Sequence, residues 1–448
     1  MPTSKRILLC RLGVVLLCVL PTLSVFGWAL MQTSSGLGLA SKSHWESELS
    51  AQLALTVEIE NVAYAPGAVA QLHRVRLFDP ETRTLIGQVQ DISITAAASG
   101  WIIKPSQLEL EANQLAVVLR ALQRHSIQKT IASRSGGSPR LIRLLPSDIV
   151  IRREDQSETL REFHCQWTTA DSGAKLQGEF HITEQSGTPI QFSLVRSQNS
   201  PQRGLEWHCD THSARLPCRL LVDAWPALRR LGSECTFAGQ VRVAVGADVS
   251  GQLSGTFHQL DCDTLISEHF PHQLSGLATC HIDQLRIEQG KLKEIRGKLE
   301  AQNGSLSSSL LAAAAEHLGL EALLETLSER PNTAVAFRRL AIGFQLDGEN
   351  LKLAAVDLTN KGVLIQSASG PLLTAPPGHR APALGLVRTL LPANQYQVPA
   401  TRQTAALVSL LPLPDVARTP AATTAHTPMR LAPVNASTPS AIRQPVLR

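Results

Sequence analysis

LALTVEIENVAYAPGAVAQLHRVRLFDPETRTLIGQVQDISI, residues 53–94, decides the fold class. Leu53, Leu55, Val57 and Ile59 alternate with polar or small residues, the period of a half-buried strand. A Pro-Gly turn follows, and then Val75 and Leu77 alternate with Arg74 and Arg76. FDPETRT supplies a second turn, and Ile92 and Ile94 alternate in the third strand. Three short strands joined by tight turns predict an antiparallel meander.

The pattern continues outward from this stretch. It recurs at 101–112, 148–155, 161–170, 174–184, 189–197, 204–212, 235–245, 251–260, 274–289, 291–302, 333–348, 350–360 and 362–369. Short turns such as ADSGA, EQSGTP and LDGENL separate the runs. About 16 strands at ~4.8 Å spacing predict a sheet roughly 75–80 Å long. Three helical patterns interrupt it. Asn113–Ala132 carries Leu115, Val118, Leu119 and Leu122 on one stripe. Leu216–Leu231 opens at Pro217, ends at Gly232 and should kink at Pro226. Ser307–Glu329 is rich in Ala and Leu with one leucine face. The fold class is therefore mainly β with a few helices.

Leu12 to Met31 is a run of 20 residues without a charge. In a helix it would rise ~30 Å, the thickness of a hydrocarbon core. Leu12, Val15, Leu16, Val19, Leu20, Val25, Phe26 and Leu30 supply the apolar surface, and Trp28 suits the far interface. Lys5, Arg6 and Arg11 precede the run, so the positive-inside rule places the N-terminus in the cytoplasm. A cleaved signal peptide is the competing reading. Its apolar region would be about 7–15 residues, and the best small-residue site here, at Ala40, lies well beyond the run.

The net charge of +5 divides unevenly. Residues 1–11 hold +3, residues 371–448 hold +6, and the segment between holds −4. An acidic body argues against a folded nucleic-acid groove, which needs clustered Lys and Arg. Residues 371–448 contain 13 of the 26 prolines and sustain no period, so they read as a basic disordered tail. The expected layout is a basic cytoplasmic flank (1–11), an anchor (12–31), a polar tether (32–50), a β domain (51–370) and the tail (371–448).

Chemistry-bearing motifs are few. Cys165, Cys209, Cys218, Cys235, Cys262 and Cys280 form no C-x-x-C pair, and several alternate in phase with apolar neighbours. They read as buried small hydrophobes, with one or two disulfides of open connectivity as the alternative. His208 and His212 would lie ~13 Å apart on a strand, too far for one metal with ~2 Å bonds. Pro271 disfavours a helix pairing His269 with His272. Ser172-Gly-Ala-Lys175 matches S-x-x-K but sits in a turn without its partner motifs. No catalytic, metal or cofactor site is expected, and the chain does not read as an enzyme.

Several stretches together resemble a known family. They are the N-terminal anchor, residues 57–94 with their L-x-x-V-R-L-x-D strand, LRRLG followed by FAGQVRVAV, CHIDQLRIEQGKLKEIRGKLEAQNGSLSSSLL, and FRRLAIGFQLDGENLKLAAVDLTNKG. In this arrangement residues 1–370 resemble the AsmA-like proteins of the bacterial envelope, relatives of repeating β-groove lipid-transfer proteins. The resemblance implies a single-pass inner-membrane protein with a periplasmic body and a long twisted sheet with an apolar concave face. It also implies a role in moving phospholipid or in supporting outer-membrane assembly, with envelope proteins as partners. Leu53, Leu55, Val57, Ile59, Val75, Leu77, Ile92 and Ile94 are the candidate groove-lining residues. A structural envelope protein whose sheet face is covered is the alternative. An open trough favours the first reading and a filled core the second.

Overall fold

A computed structural model describes residues 35–391, apart from 65–68, 98–99, 115–116, 118–140, 154–155, 171–172, 183–186, 198–204, 224, 246–248, 323–332 and 358–361. The expected anchor at 12–31, its basic flank and the tail beyond 391 lie outside the described residues, as does most of the helix expected at 113–132. Among the described residues no helix is long and apolar enough to cross a membrane.

The chain is mainly β, and its strands form one large sheet. The first five are β1 (Thr56–Ala63), β2 (Ala70–Phe78), β3 (Leu85–Ala97), β4 (Gly100–Pro105) and β5 (Gln107–Glu111). Next come β6 (Leu141–Arg153), β7 (Gln156–Ala170), β8 (Gly173–His181), β9 (Ile190–Ser197), β10 (Leu205–Asp210) and the short β11 (Leu216–Pro217). The centre holds β12 (Thr236–Val245), β13 (Val249–Asp261), β14 (Leu274–Ser275), β15 (Leu277–Glu288) and β16 (Lys291–Ser307). The far end has β17 (Glu321–Ala322), β18 (Ala334–Asp347), β19 (Asn350–Ala355), β20 (Val363–Gln366), β21 (Pro371–Thr374) and β22 (Ala381–Pro382). Strands adjacent in sequence pair antiparallel through most of the sheet, as the alternation predicts. The FDPETRT turn is observed too, with Asp79 N donating to Thr84 O at 3.0 Å and Thr82 Oγ1 donating to Asp79 Oδ2 at 2.8 Å.

One joint departs from the meander. β4 and β5 pair with β6 in parallel, which makes the sheet mixed. Parallel neighbours need a crossover of a dozen residues or more. Residues 112–140 provide that length, and the helix expected at 113–132 falls inside it.

The N-terminal corner corrects the expected tether. Residues 35–53 form a helix, α1 (Ser35–Leu53), instead of a free linker. Trp45 and Leu49, one turn apart on a shared face, bury against Val57, Ile59, Leu72, Val75 and Ile94. Trp45 also meets Trp101, with ring centroids 5.8 Å apart. Burying a large apolar side chain contributes about 1.5–3 kcal/mol, enough to hold a polar helix in place. The neighbouring stripe of α1 closes the sheet's edge. Ile59 N donates to Glu46 Oε1 at 2.9 Å and Val57 N to Ser50 Oγ at 3.0 Å. Polarity that suggests solvent is directed at backbone donors instead. The helix runs through Leu53, so strand β1 begins at Thr56, later than expected.

Two further expectations are corrected. Leu216–Leu231 is not one kinked helix but two 3₁₀ turns, Cys218–Leu221 and Pro226–Leu231. Pro226 has no N–H for a helical bond, and Trp225 before it adopts φ −130° and ψ 85°. The tail does not begin at 371. β21, β22 and α3 (Ala383–Leu390) belong to the fold, with Leu372, Leu373, Val387 and Leu391 buried. α3 packs on α2 (Ser308–Leu318), which starts where expected but ends well short of the expected Glu329, because Gly319 adopts the left-handed conformation, φ 65°, and stops it. Ser307 caps α2, its Oγ accepting from Leu310 N at 3.3 Å and from Gln273 N at 3.1 Å. The helices approach so closely at Gly385 that a Cβ there would lie 2.5 Å from His317 O.

Candidate functional site: an apolar lane across the sheet

Side chains on paired strands form rows, and two of these rows are apolar across a long run of neighbouring strands. The first runs Leu144–Cys165–Gly178–Phe192–Cys209–Val241, each residue facing the next across a strand pair. It continues Leu253–Leu285–Ile295–Leu346–Leu351. That row crosses eleven strands, about 48 Å at 4.8 Å each, without a charged or amide side chain. The second row lies two residues along and so on the same face. It runs Ile142–Trp167–Leu176–Leu194–Trp207–Val243, then Gly251, Ile287 and Leu292. Such continuity follows from period-2 alternation, with a bulge between Arg286 and Ile287 absorbing the extra residue that brings Leu292 into the second row.

Cover over this face is uneven. At β9 and β10, Ile190, Trp207 and Cys209 pack with Leu216 and Leu220 from the β10–β12 connection. Trp225 from that connection packs at a tilt against Trp207, with centroids 5.1 Å apart, while remaining 38% exposed. Val241 and Leu253 pack against the buried trio Cys218, Cys235 and Phe237. Val243, Leu285, Ile287, Leu292 and Ile295 are only half-buried, and Val245 and Val249 at the rim are exposed. Leu346 and Leu351 are buried again. Phenylalanine rings fill the space that glycines leave along the strands. Phe192 lies over Gly178 and Phe344 over Gly297, where an added Cβ would come 2.7 and 3.0 Å from the ring.

The eight residues expected to line a groove occupy a different setting. Val57, Ile59, Val75 and Ile94 are buried in the core beneath α1, and Leu77 and Ile92 pack partly against it. Leu55 packs on Ile86 in a small neighbouring cluster. Leu53 is exposed at the end of α1. That corner is therefore a filled core, because residues 35–53 fold back as a lid the alternation does not reveal. The half-open apolar face lies farther along, on β12–β16. Its residues had been legible one strand at a time, but their alignment into a row depends on register.

The opposite face is polar. Arg143, Gln166, Gln177, Ser193 and His208 form the alternate row and, with His164 and Glu179, line a cleft of about 430 Å³. His164 Nε2 lies 3.2 Å from Glu179 Oε1, so these two polar groups partner each other. His212 pairs with Asp210 at 3.1 Å, and His272 Nδ1 is 3.0 Å from Ser309 Oγ. Among the described residues no three His, Cys, Asp or Glu side chains converge as metal ligands. Lys175 of the S-x-x-K match is exposed, and Ser172 lies outside the described residues.

Cys209, Cys218, Cys235 and Cys262 are buried, and Cys165 and Cys280 are half-buried. Burial pushes the Cys165 thiol up to about 12, and burial with nearby Asp210 does the same for Cys209. Burial raises Cys262 and Cys280 to about 11. Thiols held neutral in this way are poor nucleophiles.

No family model, curated protein or solved structure matches the chain.

Proposed function

We propose that this protein holds the hydrocarbon part of a membrane lipid on the apolar face of its sheet, as a non-enzymatic component of the bacterial cell envelope. The observation that carries this reading is the uncharged row from Leu144 to Leu351, which stays half-buried across the central strands. An aliphatic row of this length offers contact to acyl chains and no hydrogen bonds to a headgroup, so it selects for chain length more than for lipid class. The apolar run at 12–31 and the basic residues before it support an inner-membrane anchor with the sheet on the periplasmic side. An AsmA-like role in phospholipid transfer or outer-membrane assembly fits both features.

A second reading has its own support. At the N-terminal corner α1 packs over the sheet face and buries Val57, Ile59, Leu72, Val75 and Ile94, as in a structural or interaction protein with a filled core.

Full-length protein, exchanged into a lipid-free detergent, is titrated with vesicles of phosphatidylethanolamine and phosphatidylglycerol containing a fluorescent acyl-chain probe. Uptake of the probe is expected, together with at least tenfold weaker uptake by a Leu253→Asp/Leu285→Asp variant of unchanged circular dichroism. Absence of uptake by the wild type, or equal uptake by the variant, overturns the lipid reading and leaves the structural one.

A further inference from the structure

The six cysteines of the β body are dispersed in sequence, yet two of them meet. Cys218 Sγ and Cys235 Sγ lie 3.5 Å apart in a buried apolar pocket with Phe237. Their backbones are already in register. Leu216 faces Phe237 and Pro217 faces Thr236 across an antiparallel bridge, and Cys218 N donates to Cys235 O at 2.9 Å. Directly opposed antiparallel residues have Cα atoms ~4.5–5.5 Å apart. A disulfide accepts ~4.4–6.8 Å. Bond formation therefore needs the two sulfurs to close on each other, with no strand displacement. Among the described residues no other two cysteine sulfurs are hydrogen-bonded: Cys209 belongs to another cluster beside Ile190, and Cys280, though near enough to Cys235 to feel its charge, faces Phe257 across the strand pair.

We propose that Cys218 and Cys235 are the disulfide-forming pair of this protein, and that the other four thiols of the β body remain free. The reaction is a two-step exchange with an external disulfide, either a disulfide-carrying protein oxidant or oxidised glutathione. One cysteine thiolate attacks the external disulfide, giving a mixed disulfide and releasing one external thiol. The second cysteine then attacks the protein-side sulfur and releases the other. Two protein thiols and one external disulfide become one protein disulfide and two external thiols, which carry the two protons. Both sulfurs are shut away in the folded chain, so exchange takes place before the pocket closes.

The bond would close residues 218–235 into a loop held at its base. That loop carries the 3₁₀ turn Pro226–Leu231 and presents Trp225 against Trp207. It would fix this part of the cover on the apolar face to strand β12 while leaving its tip exposed.

The test is a thiol map of the full chain, refolded in detergent in a mixture of reduced and oxidised glutathione. Unreacted thiols are alkylated under denaturing conditions without reductant, and the protein is digested with trypsin. A linked pair of peptides 216–219 and 231–242 is expected, with Cys165, Cys209, Cys262 and Cys280 alkylated. A Cys218→Ser/Cys235→Ser variant should match the reduced wild type and melt about 5 °C below the oxidised protein. Alkylation of both Cys218 and Cys235, or a link from Cys235 to Cys280, overturns the assignment. Refolding supplies its own oxidant, so this outcome is independent of the lipid reading and of the compartment.

Discussion

The N-terminal corner and the centre of the sheet carry the same alternation and differ in what lies on top of them. At β1–β3 a helix adjacent in sequence folds back, and Ile59, Leu72 and Ile94 are fully buried. At β12–β16 the equivalent positions Val243, Leu285 and Ile295 are half-buried. Period-2 patterning therefore specifies which face is apolar and leaves its cover undetermined. That cover comes from other segments: α1 at one end, the 211–235 connection beside the centre, and α2 with α3 at the far end.

Core truncation separates the two regions most strongly. Ile59→Ala should destabilise the protein by about 2–5 kcal/mol, since its cavity is walled by Trp45, Leu49 and Leu72 and cannot refill with solvent. Chemical denaturation measures it, and a loss below about 1 kcal/mol would mean that α1 does not seal this corner. The far end is sealed around an ionisable group, which makes it sensitive to acid. His272 is buried beside Ser309, and burial lowers its imidazole below the ordinary value, against the opposing pull of the Thr389 and Leu391 backbone. A depressed histidine takes up its proton more readily when unfolded. Its contribution is intact above about pH 6.5 and is lost as pH falls below it, by at most about 1.4 kcal/mol per pH unit. Melting curves from pH 7.5 to 5 should show this slope, and His272→Gln should flatten it. The smallest effect belongs to the centre. Leu285→Ala should cost less than about 1.5 kcal/mol, because half of what burial provides is absent there from the start. A loss as large as that of Ile59→Ala would show that the central face is covered after all.

Much of this arrangement was readable from local chemistry. Turn and cap residues such as Asp79 and Ser307 act within a few positions of themselves, so the FDPETRT turn and the start of α2 fall where expected. Strand positions were readable for the same reason. What escaped depends on partners distant in sequence. Glu46 and Ser50 look like linker residues until β1 presents its N–H groups to them. Leu372 and Val387 look like tail because Pro, Ala and Thr surround them, and only docking at the far end of the sheet and on α2 makes them core. The parallel joint between β5 and β6 leaves no periodic mark in either strand. The contact between Cys218 and Cys235 likewise appears only once β11 is set against β12.

The bonds from Glu46 and Ser50 to β1 bear on more than local stability. A long sheet that ended in free donors would be a template, and another copy's strand could add to it with the same hydrogen bonds that join its own strands. α1 occupies those donors with side chains that cannot propagate the ladder. A chain cut after residue 53 would lose both caps and should be more prone to fibrillar self-association even where its remaining core survives.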